Sequence, residues 1–390
     1  MPLERARRKA GPFAPLPHGA ICPRYNHTVK RSTSSPSVKP QIDQDLRAID
    51  ELFRVAGLVR NHRQSAAGIT TRLRQDCLQR ASAEELSIAA PKPQMANNRV
   101  EYLTVAAWKK AGSRSLSWLW HGFSTRRGGL SRAYCAEGAP GELNLGFTAS
   151  DPREAVAQNR KLLAEAITGK SSTPIVALRQ IHSNLVVRAA AADASRERSW
   201  KGDGLITAEP GLLLAIQTAD CIPVLVADRK RRVVAAFHAG WRGTVKRIVE
   251  SGVGCMRLEF GSRPEDLIAA IGPGIGGCCY AVGEEVLSSF ESQFSYAREL
   301  FCEVPDSDTV RAKYPMLFLT QRAPGHSPIG PNLHLNLIEA NRRQLLDAGL
   351  QADAIEIVGG CTSCHPDLFF SHRASHGHAG RMMSVIGIRP

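Results

Sequence analysis

The sequence predicts an α/β fold in which mixed β-sheets are layered with helices, in a single domain that begins at about residue 100. Three short apolar runs, 212–216, 222–227 and 233–237, have the length and composition of buried strands. Glycine-bounded turns and helix-like segments follow the runs that end near residues 238 and 271. The 390-residue chain is 43% apolar, which is ample for a large core.

The first 95 residues differ in composition from the rest of the chain. They are polar, contain many Pro, Ser, Ala and Arg residues, and hold more than half of the formal net charge of +14. Residues 1–95 are therefore predicted to be a basic, largely disordered extension that cannot bury enough apolar area to fold alone. An organelle transit peptide, or a start assigned upstream of a functional protein beginning at Met95, are the other interpretations. Nucleic-acid binding is disfavoured, because no recognition motif accompanies the charge.

The chain lacks the sequence signals of export and membrane insertion. No apolar run is long enough to span a bilayer, and the start has no apolar core of a secretory signal. The ten cysteines are scattered and do not form the framework of a small secreted domain. We therefore expect a cytoplasmic protein with reduced thiols and no membrane partner.

Three residues that can bind a metal lie at the edges of predicted strands. His182 precedes a strand-like run, Cys221 lies between two apolar runs, and His238 ends a third run before a turn that contains Gly240. Pro223 is expected to interrupt strand pairing beside Cys221. The three side chains are therefore candidates for one site at a common edge of the fold.

Two histidines and one cysteine suit a single zinc ion, because catalytic zinc takes three protein ligands and leaves a fourth position to water or substrate. Their spacing alone is not a known zinc pattern, and a half-buried structural histidine is the simpler interpretation of His238. A cysteine hydrolase with Cys221 as nucleophile is a further alternative. A multicopper oxidase is disfavoured, because His376-Gly-His378 is the single His-x-His pair of the chain.

Two glycine-containing turns have open interpretations. Asp203, in a Gly-Asp-Gly turn, is a candidate acid/base or ligand-positioning carboxylate, or only a turn former. The turn Gly272–Gly277 follows a strand-like run and precedes a helix-like one. It resembles a dinucleotide fingerprint formally, but no second strand with an acidic residue follows it. An anion site at a helix start or a tight structural turn are the two remaining possibilities.

Cys361-Thr-Ser-Cys364-His365 matches the covalent haem pattern, and we interpret the match as accidental. The two cysteines are expected to pack near the site. A second zinc there would need two more ligands, which the sequence does not clearly supply.

Eight ordered motifs resemble the laccase-domain (YfiH-like) family over about residues 100–390. The motifs are His121–Gly129, Asn144–Phe147, Gln180–Ser183, Asp203–Thr207, Ala219–Pro223, His238–Gly243, Ile271–Gly276 and the C-terminal Phe369–Arg373 with Gly380–Met382. Members of this family carry the names purine nucleoside phosphorylase, polyphenol oxidase and peptidoglycan editing factor. The resemblance implies one YfiH-like catalytic domain over residues 100–390, with one zinc per chain held by His182, Cys221 and His238.

The resemblance also implies an activity. It suggests phosphorolysis of adenosine, inosine, guanosine and methylthioadenosine, together with deamination of adenosine, so purine nucleosides and phosphate are the expected partners. Hydrolysis of a peptidoglycan precursor is the alternative, and copper polyphenol oxidation is disfavoured. The oligomeric state is open, with a monomer as the expectation.

Polar residues within the motifs are candidates for binding the substrate. A guanidinium matches phosphate through two parallel hydrogen bonds, which favours Arg126, Arg242 and Arg373 for the anion. Ser124 and Asn144 are candidates for orienting the sugar or the base. No role is assigned to His372, which stands where many relatives have a tyrosine.

Overall fold

The computed structural model describes residues 78–109, 116–196, 200–305 and 332–390. The disorder predicted for residues 1–77 falls outside these ranges. The helices of the described residues are Ala106–Lys109 (α1), Arg153–Thr168 (α2), Trp241–Val245 (α3), Ile248–Phe260 (α4), Glu284–Glu291 (α5) and Leu337–Asp347 (α6). None of them is long and apolar enough to cross a lipid bilayer.

The strands of the described residues are, in chain order, Gln79–Arg80 (β1), Gln94–Met95 (β2), Glu101–Leu103 (β3), Leu119–Ser124 (β4), Arg127–Ser131 (β5), Ile175–Ala177 (β6), Val186–Arg188 (β7), Gly204–Thr207 (β8), Leu213–Thr218 (β9), Ile222–Asp228 (β10), Val233–Ala239 (β11), Leu267–Ile271 (β12), Phe301–Val304 (β13), Asn332–Leu335 (β14), Ile355–Ile357 (β15) and Met382–Ile388 (β16).

Fifteen of these strands form two six-stranded sheets and one three-stranded sheet, and β5 lies outside all three. The first sheet has the order β15-β12-β10-β11-β8-β7, the second β2-β3-β4-β16-β9-β6, and the third β1-β13-β14. In the first sheet the inner strands are antiparallel and the edge pairs β7–β8 and β12–β15 are parallel. The predicted mixed sheets are therefore confirmed.

The two six-stranded sheets pack face to face, with helices on their outer faces. One core cluster contains Leu225 and Ala236 from the first sheet together with Leu214 and Ile386 from the second. Helix α4 lies against the first sheet so closely that a Cβ added at Gly252 would come within 2.2 Å of the Phe237 ring. The absence of a side chain at this glycine is what allows the close packing.

The predicted strand at Val233–Phe237 is longer in the structure than expected, and it contains His238. The interruption predicted at Pro223 is wrong, because Pro223 lies in register opposite His238 between β10 and β11. Its carbonyl accepts a hydrogen bond from Gly272 N at 2.9 Å, beyond the last paired residue of β12. Proline has no backbone N–H to donate. It is tolerated here because it lies at the end of the β10–β12 pair, where the pairing requires no hydrogen bond from its nitrogen.

The folded part starts upstream of residue 95. Strand β1 pairs with β13 through Gln79 opposite Cys302, and β2 pairs with β3 through Met95 opposite Glu101. Paired strands therefore occur within the segment assigned to the extension, and the boundary near residue 95 stays a prediction. These two-residue strands carry no apolar periodicity, so composition alone marked their sequence as part of the extension.

Candidate metal centre and active-site cavity

His182 is held by a turn that closes on a buried carboxylate. Its backbone is left-handed, with φ 55°, an unusual conformation for a residue other than glycine. Asp203 accepts hydrogen bonds from the consecutive N–H groups of Ile181, His182 and Ser183 at 3.2, 3.0 and 2.6 Å, and from Ser183 Oγ at 2.6 Å. The carboxylate therefore stabilises the turn that presents the His182 ring.

Cys221 follows a second strained residue, Asp220, which has φ 90°. The Asp220 carboxylate accepts hydrogen bonds from Thr362 Oγ1 at 2.6 Å and from Arg373 N at 2.7 Å. Its carbonyl accepts a third from Ile275 N at 2.8 Å. Two distant segments of the chain therefore fix the residue that precedes Cys221, as is common where backbone strain occurs at a functional site.

His238 lies inside β11 and points its ring toward the other two residues. Its N–H donates to the Asp203 carbonyl at 2.7 Å, and its ring Nδ1 lies 2.8 Å from Asp203 Oδ1. A carboxylate at Nδ1 fixes the imidazole tautomer and leaves Nε2 for a metal. Asp203 therefore contacts two of the three candidate ligands, a geometry suited to a carboxylate that positions them.

The structure brings the three predicted ligands together. The ligand atoms of His182, Cys221 and His238 all lie within 4.8 Å of one another, and Cys221 Sγ is 3.8 Å from His182 Nε2. The two imidazole rings meet edge to face with centroids 4.9 Å apart. A Cβ added at Gly240 would come within 2.9 Å of both Cys221 Sγ and His182, so this glycine leaves room for the group. Two imidazoles and a thiolate at this separation fit one zinc ion.

The charges of this group depend on one another. Burial raises the pKa of Cys221, but the charge of His238 and hydrogen bonds from His182 and His238 outweigh burial and lower the pKa to about 6. Burial lowers the pKa of His238, whereas the Cys221 thiolate and the Asp203 carboxylate raise it to about 9. Burial also raises the pKa of Asp203, yet the His238 and Ser183 contacts bring it below its usual value. Cys221 is therefore a thiolate near neutral pH, the form that binds metal.

A cavity of about 470 Å³ opens onto the three ligands. This volume lies within the roughly 300–1,000 Å³ of small-molecule sites. Apart from Leu178 and Ala219, the side chains that line the cavity are polar or basic, and none is a carboxylate. They are Leu178, Arg179, Gln180, His182, Gln217, Thr218, Ala219, Cys221, His238, His372 and Arg381.

None of the five predicted substrate residues belongs to this lining, and three of them, Ser124, Asn144 and Arg126, have structural partners elsewhere. Ser124 is buried in β4 and its Oγ accepts from Met383 N at 3.0 Å. Asn144 is fully buried and bonds to Gly146 and Asp151 within its own loop. The structure does not bring either side chain to the cavity.

The Arg126 guanidinium is also engaged away from the cavity. It pairs with Glu142 at 2.6 Å and lies 4.7 Å from the centre of the Phe370 ring. These contacts hold the guanidinium against residues that do not line the cavity.

Arg242 and Arg373 lie near the metal centre but do not line the cavity. Arg242 is exposed and stacks on Trp241, with 4.3 Å from guanidinium to ring centre. Arg373 donates to Ala281 O at 2.9 Å and lies over the Tyr280 ring at 5.3 Å. Burial and the nearby Cys221 thiolate raise the pKa of Tyr280, while both arginines oppose that rise. Tyr280, which belongs to none of the quoted motifs, therefore lies close enough to Cys221 and to both arginines for their charges to act on it.

Arg381 and the Gln180–Gln217 pair are cavity residues to which the sequence analysis gave no role. Gln180 exchanges two hydrogen bonds with the backbone of Gln217, at 2.7 and 2.8 Å. Arg381 Nη1 donates to the carbonyls of Ala379 and Gly380, which places its guanidinium at the cavity edge. Gln180 and Arg381 each belong to a quoted motif, so motif membership was the signal that could have found them.

Known proteins match most of the described chain. Residues 120–389 match the family described as multi-copper polyphenol oxidoreductase laccase. The chain is 39% identical over 268 residues to a purine nucleoside phosphorylase of Deinococcus radiodurans, covering 69% of this chain and 88% of the relative. It is 33% identical over 275 residues to purine nucleoside phosphorylase YlmD of Bacillus subtilis, covering 69% and 88% of the two chains.

The fold has a counterpart among solved structures. Protein YfiH of Bacillus licheniformis, described as hypothetical, superposes with a TM-score of 0.58 at 33% identity, covering 70% of this chain and 94% of that one. The YfiH-like fold predicted from the motifs is therefore confirmed.

Proposed function

The chain belongs to the family described as multi-copper polyphenol oxidoreductase laccase, and within this family we propose that it is a zinc-dependent purine nucleoside phosphorylase that also deaminates adenosine. The names of its relatives support the phosphorylase part of the proposal. The observation that carries the proposal is the group His182, Cys221 and His238 on a cavity of nucleoside size, with Asp203 behind it.

The ligand set favours one zinc over a copper array. Among the described residues, only two groups of metal-binding side chains are close enough to hold an ion, and neither contains more than two histidines. A copper oxidase needs many more imidazoles for its several copper ions. Zinc bound by three protein ligands would supply an acidified water and a Lewis acid at the cavity.

The basic side chains of the cavity support binding of an anion. Arg179, His372 and Arg381 line the cavity, and no carboxylate does. Arg242 and Arg373 add positive charge on the Tyr280 side of the metal centre. Phosphorolysis requires phosphate beside the ribose, and guanidinium groups hold phosphate through paired hydrogen bonds. Deamination requires only activated water, so the two activities make different demands on these arginines.

Cys221 acts as a ligand rather than a nucleophile in this proposal. Its thiolate lies beside two imidazoles, one of which is oriented by a carboxylate at Nδ1. This is the arrangement of a metal-ligating histidine with its supporting carboxylate. Asp203 keeps a proton on His238 Nδ1, so the metal would bind at Nε2 in place of the second ring proton.

The test is a turnover screen of the purified full-length protein with adenosine, inosine, guanosine and methylthioadenosine, with and without phosphate. We expect base and ribose 1-phosphate when phosphate is present, and inosine from adenosine in its absence. Cys221→Ala serves as the metal-site control and should lose both activities. Zinc-loaded protein that converts no purine nucleoside would contradict the proposal and favour a peptidoglycan-precursor hydrolase.

A further inference from the structure

Four cysteines form a second cluster in the described part of the chain. The Sγ atoms of Cys278, Cys279, Cys361 and Cys364 all lie within 4.8 Å of one another. Cys364 Sγ is 3.5 Å from that of Cys278 and 3.3 Å from that of Cys279. The expectation that the C-terminal pair lacks two further ligands is therefore wrong, because the glycine-rich turn supplies them from more than eighty residues away.

The four thiols are not joined as disulfides. All four are free cysteines. A disulfide brings two sulfurs to about 2.05 Å, far closer than any pair in this cluster. Four sulfurs around one zinc at about 2.3 Å lie about 3.8 Å from each other in a tetrahedron. The measured separations of 3.3 and 3.5 Å are close to that value.

The backbone around the cluster supports a metal-bound thiolate. Gly276 N donates to Cys361 Sγ at 3.2 Å, and a Cβ added at Gly276 would lie 3.2 Å from both Cys278 Sγ and Cys361 Cβ. Cys361 is fully buried and packs with Ile275. A backbone N–H aimed at a buried sulfur is a typical outer contact of a metal site, and it stabilises the deprotonated form.

We propose that Cys278, Cys279, Cys361 and Cys364 bind a second zinc ion as a closed tetrathiolate site. Four protein ligands leave no open position, so this ion is structural. An iron–sulfur cluster fits less well, because its sulfides lie between the cysteines and require them to be farther apart.

The site connects the two segments that hold the loop of the catalytic group. Thr362, between the two C-terminal cysteines, bonds the Asp220 carboxylate at 2.6 Å, and Ile275, beside the turn, bonds the Asp220 carbonyl at 2.8 Å. Asp220 precedes Cys221 and is strained at φ 90°. A metal that joins both segments would hold Asp220, and through it the Cys221 thiolate, in place.

The test measures metal content and zinc X-ray absorption on full-length protein purified under reducing conditions with zinc. Cys221→Ala removes a ligand of the first site and isolates the second. We expect this variant to retain one zinc per chain with sulfur neighbours at about 2.3 Å and without imidazole at about 2.0–2.1 Å. This measurement leaves all four proposed ligands intact and does not depend on catalytic activity.

Two further variants complete the test. Cys279→Ser/Cys364→Ser, made at the two more accessible cysteines, should lose one zinc relative to the parent protein. Cys302→Ser, which alters a half-buried thiol in β13 outside both groups, should retain the wild-type content. A Cys221→Ala protein that holds no zinc, holds iron instead, or binds its zinc through imidazole nitrogen overturns the proposal.

Discussion

Replacing Asp203 by asparagine tests the geometry of the metal centre. Oδ1 of this carboxylate accepts from His182 N at 3.0 Å and from the His238 ring at 2.8 Å. Oδ2 accepts from Ile181 N, Ser183 N and Ser183 Oγ at 3.2, 2.6 and 2.6 Å. An asparagine of the same shape must place an NH₂ group at one of these two positions, where it meets donors.

The expected loss of stability in Asp203→Asn depends on which carboxylate oxygen the NH₂ group replaces. An NH₂ group at the Oδ1 position disrupts two hydrogen bonds, and at the Oδ2 position three, so the first orientation is favoured. A lost hydrogen bond to a charged group costs about 1.5–3 kcal/mol, so loss of the His182 N contact, with the His238 contact reversed, predicts a destabilisation of about 1.5–3 kcal/mol. His238 would then accept at Nδ1 and carry its proton on Nε2, the nitrogen that faces the metal. Loss of such a supporting carboxylate lowers metal affinity by about 10–100-fold, or about 1.4–2.8 kcal/mol.

The assay is competition for zinc against a chromophoric chelator, with thermal unfolding measured on the same samples. Asp193→Asn is the matched control, because Asp193 is also buried and accepts from Ala190 N at 2.7 Å, outside the metal centre. This control should lose stability without losing zinc affinity. An Asp203→Asn protein that binds zinc as tightly as the parent would refute the positioning role of the carboxylate.

Three further predictions follow from the same contacts. Arg242→Ala should slow phosphorolysis by roughly 10- to 150-fold, the effect of one lost hydrogen bond to a charged group, and should change deamination little. Arg263→Ala is the control. An equal loss of both activities in Arg242→Ala would mean that Arg242 only shapes the site. Zinc binding to the His182, Cys221 and His238 site, measured in the Cys279→Ser/Cys364→Ser variant, should release about one proton between pH 6 and 9, because His238 holds its proton up to about 9 and Cys221 is already ionised above about 6. Below pH 6 the release should be larger. Calorimetry in buffers of different ionisation enthalpy counts these protons, and zero release across that window would contradict the charge assignment. A chain that starts at Leu78 should unfold at the same temperature as the full-length protein. A chain that starts after Met95 should unfold at a lower temperature, because it lacks β1 and β2. Equal unfolding temperatures of the two shortened chains would show that residues 78–95 do not stabilise the domain.

Much of the fold and of the metal centre could be predicted because each depends on local sequence. Apolar runs of five or six residues identified the central strands, which are six or seven residues long in the structure, and the ends of such strands are where side chains of different segments meet. The three ligands lie at or beside strand ends, so their chemistry and position could be inferred together.

The substrate residues were harder, because a motif does not reveal which side of a loop its side chains face. Ser124 and Asn144 belong to quoted motifs, yet both are turned into the framework and bond to backbone groups there. Arg381, from another quoted motif, lines the cavity instead. The direction of each side chain depends on tertiary packing that a single sequence does not display.

The four-cysteine cluster was missed for a different reason. Its halves are separated by more than eighty residues, and the bridge between Gly274 and Cys361 that brings them together is a long-range contact. The local pattern Cys-x-x-Cys showed two ligands, and the adjacent pair Cys278–Cys279 lay within a turn that was considered for anion binding. The four cysteines come together only because the segment at Gly274 pairs with the segment at Cys361 in the folded chain.

The most direct test of the central claim is conversion of adenosine in ¹⁸O-labelled water with ordinary phosphate, followed by mass spectrometry of all products. We expect ribose 1-phosphate without label from water, because phosphate attacks the ribose. We also expect inosine with one labelled oxygen at C6, because water replaces the amino group. Both products should disappear in zinc-depleted protein and return when zinc is added. Labelled free ribose, or complete absence of conversion by protein that holds zinc at His182, Cys221 and His238, would contradict the proposed activity.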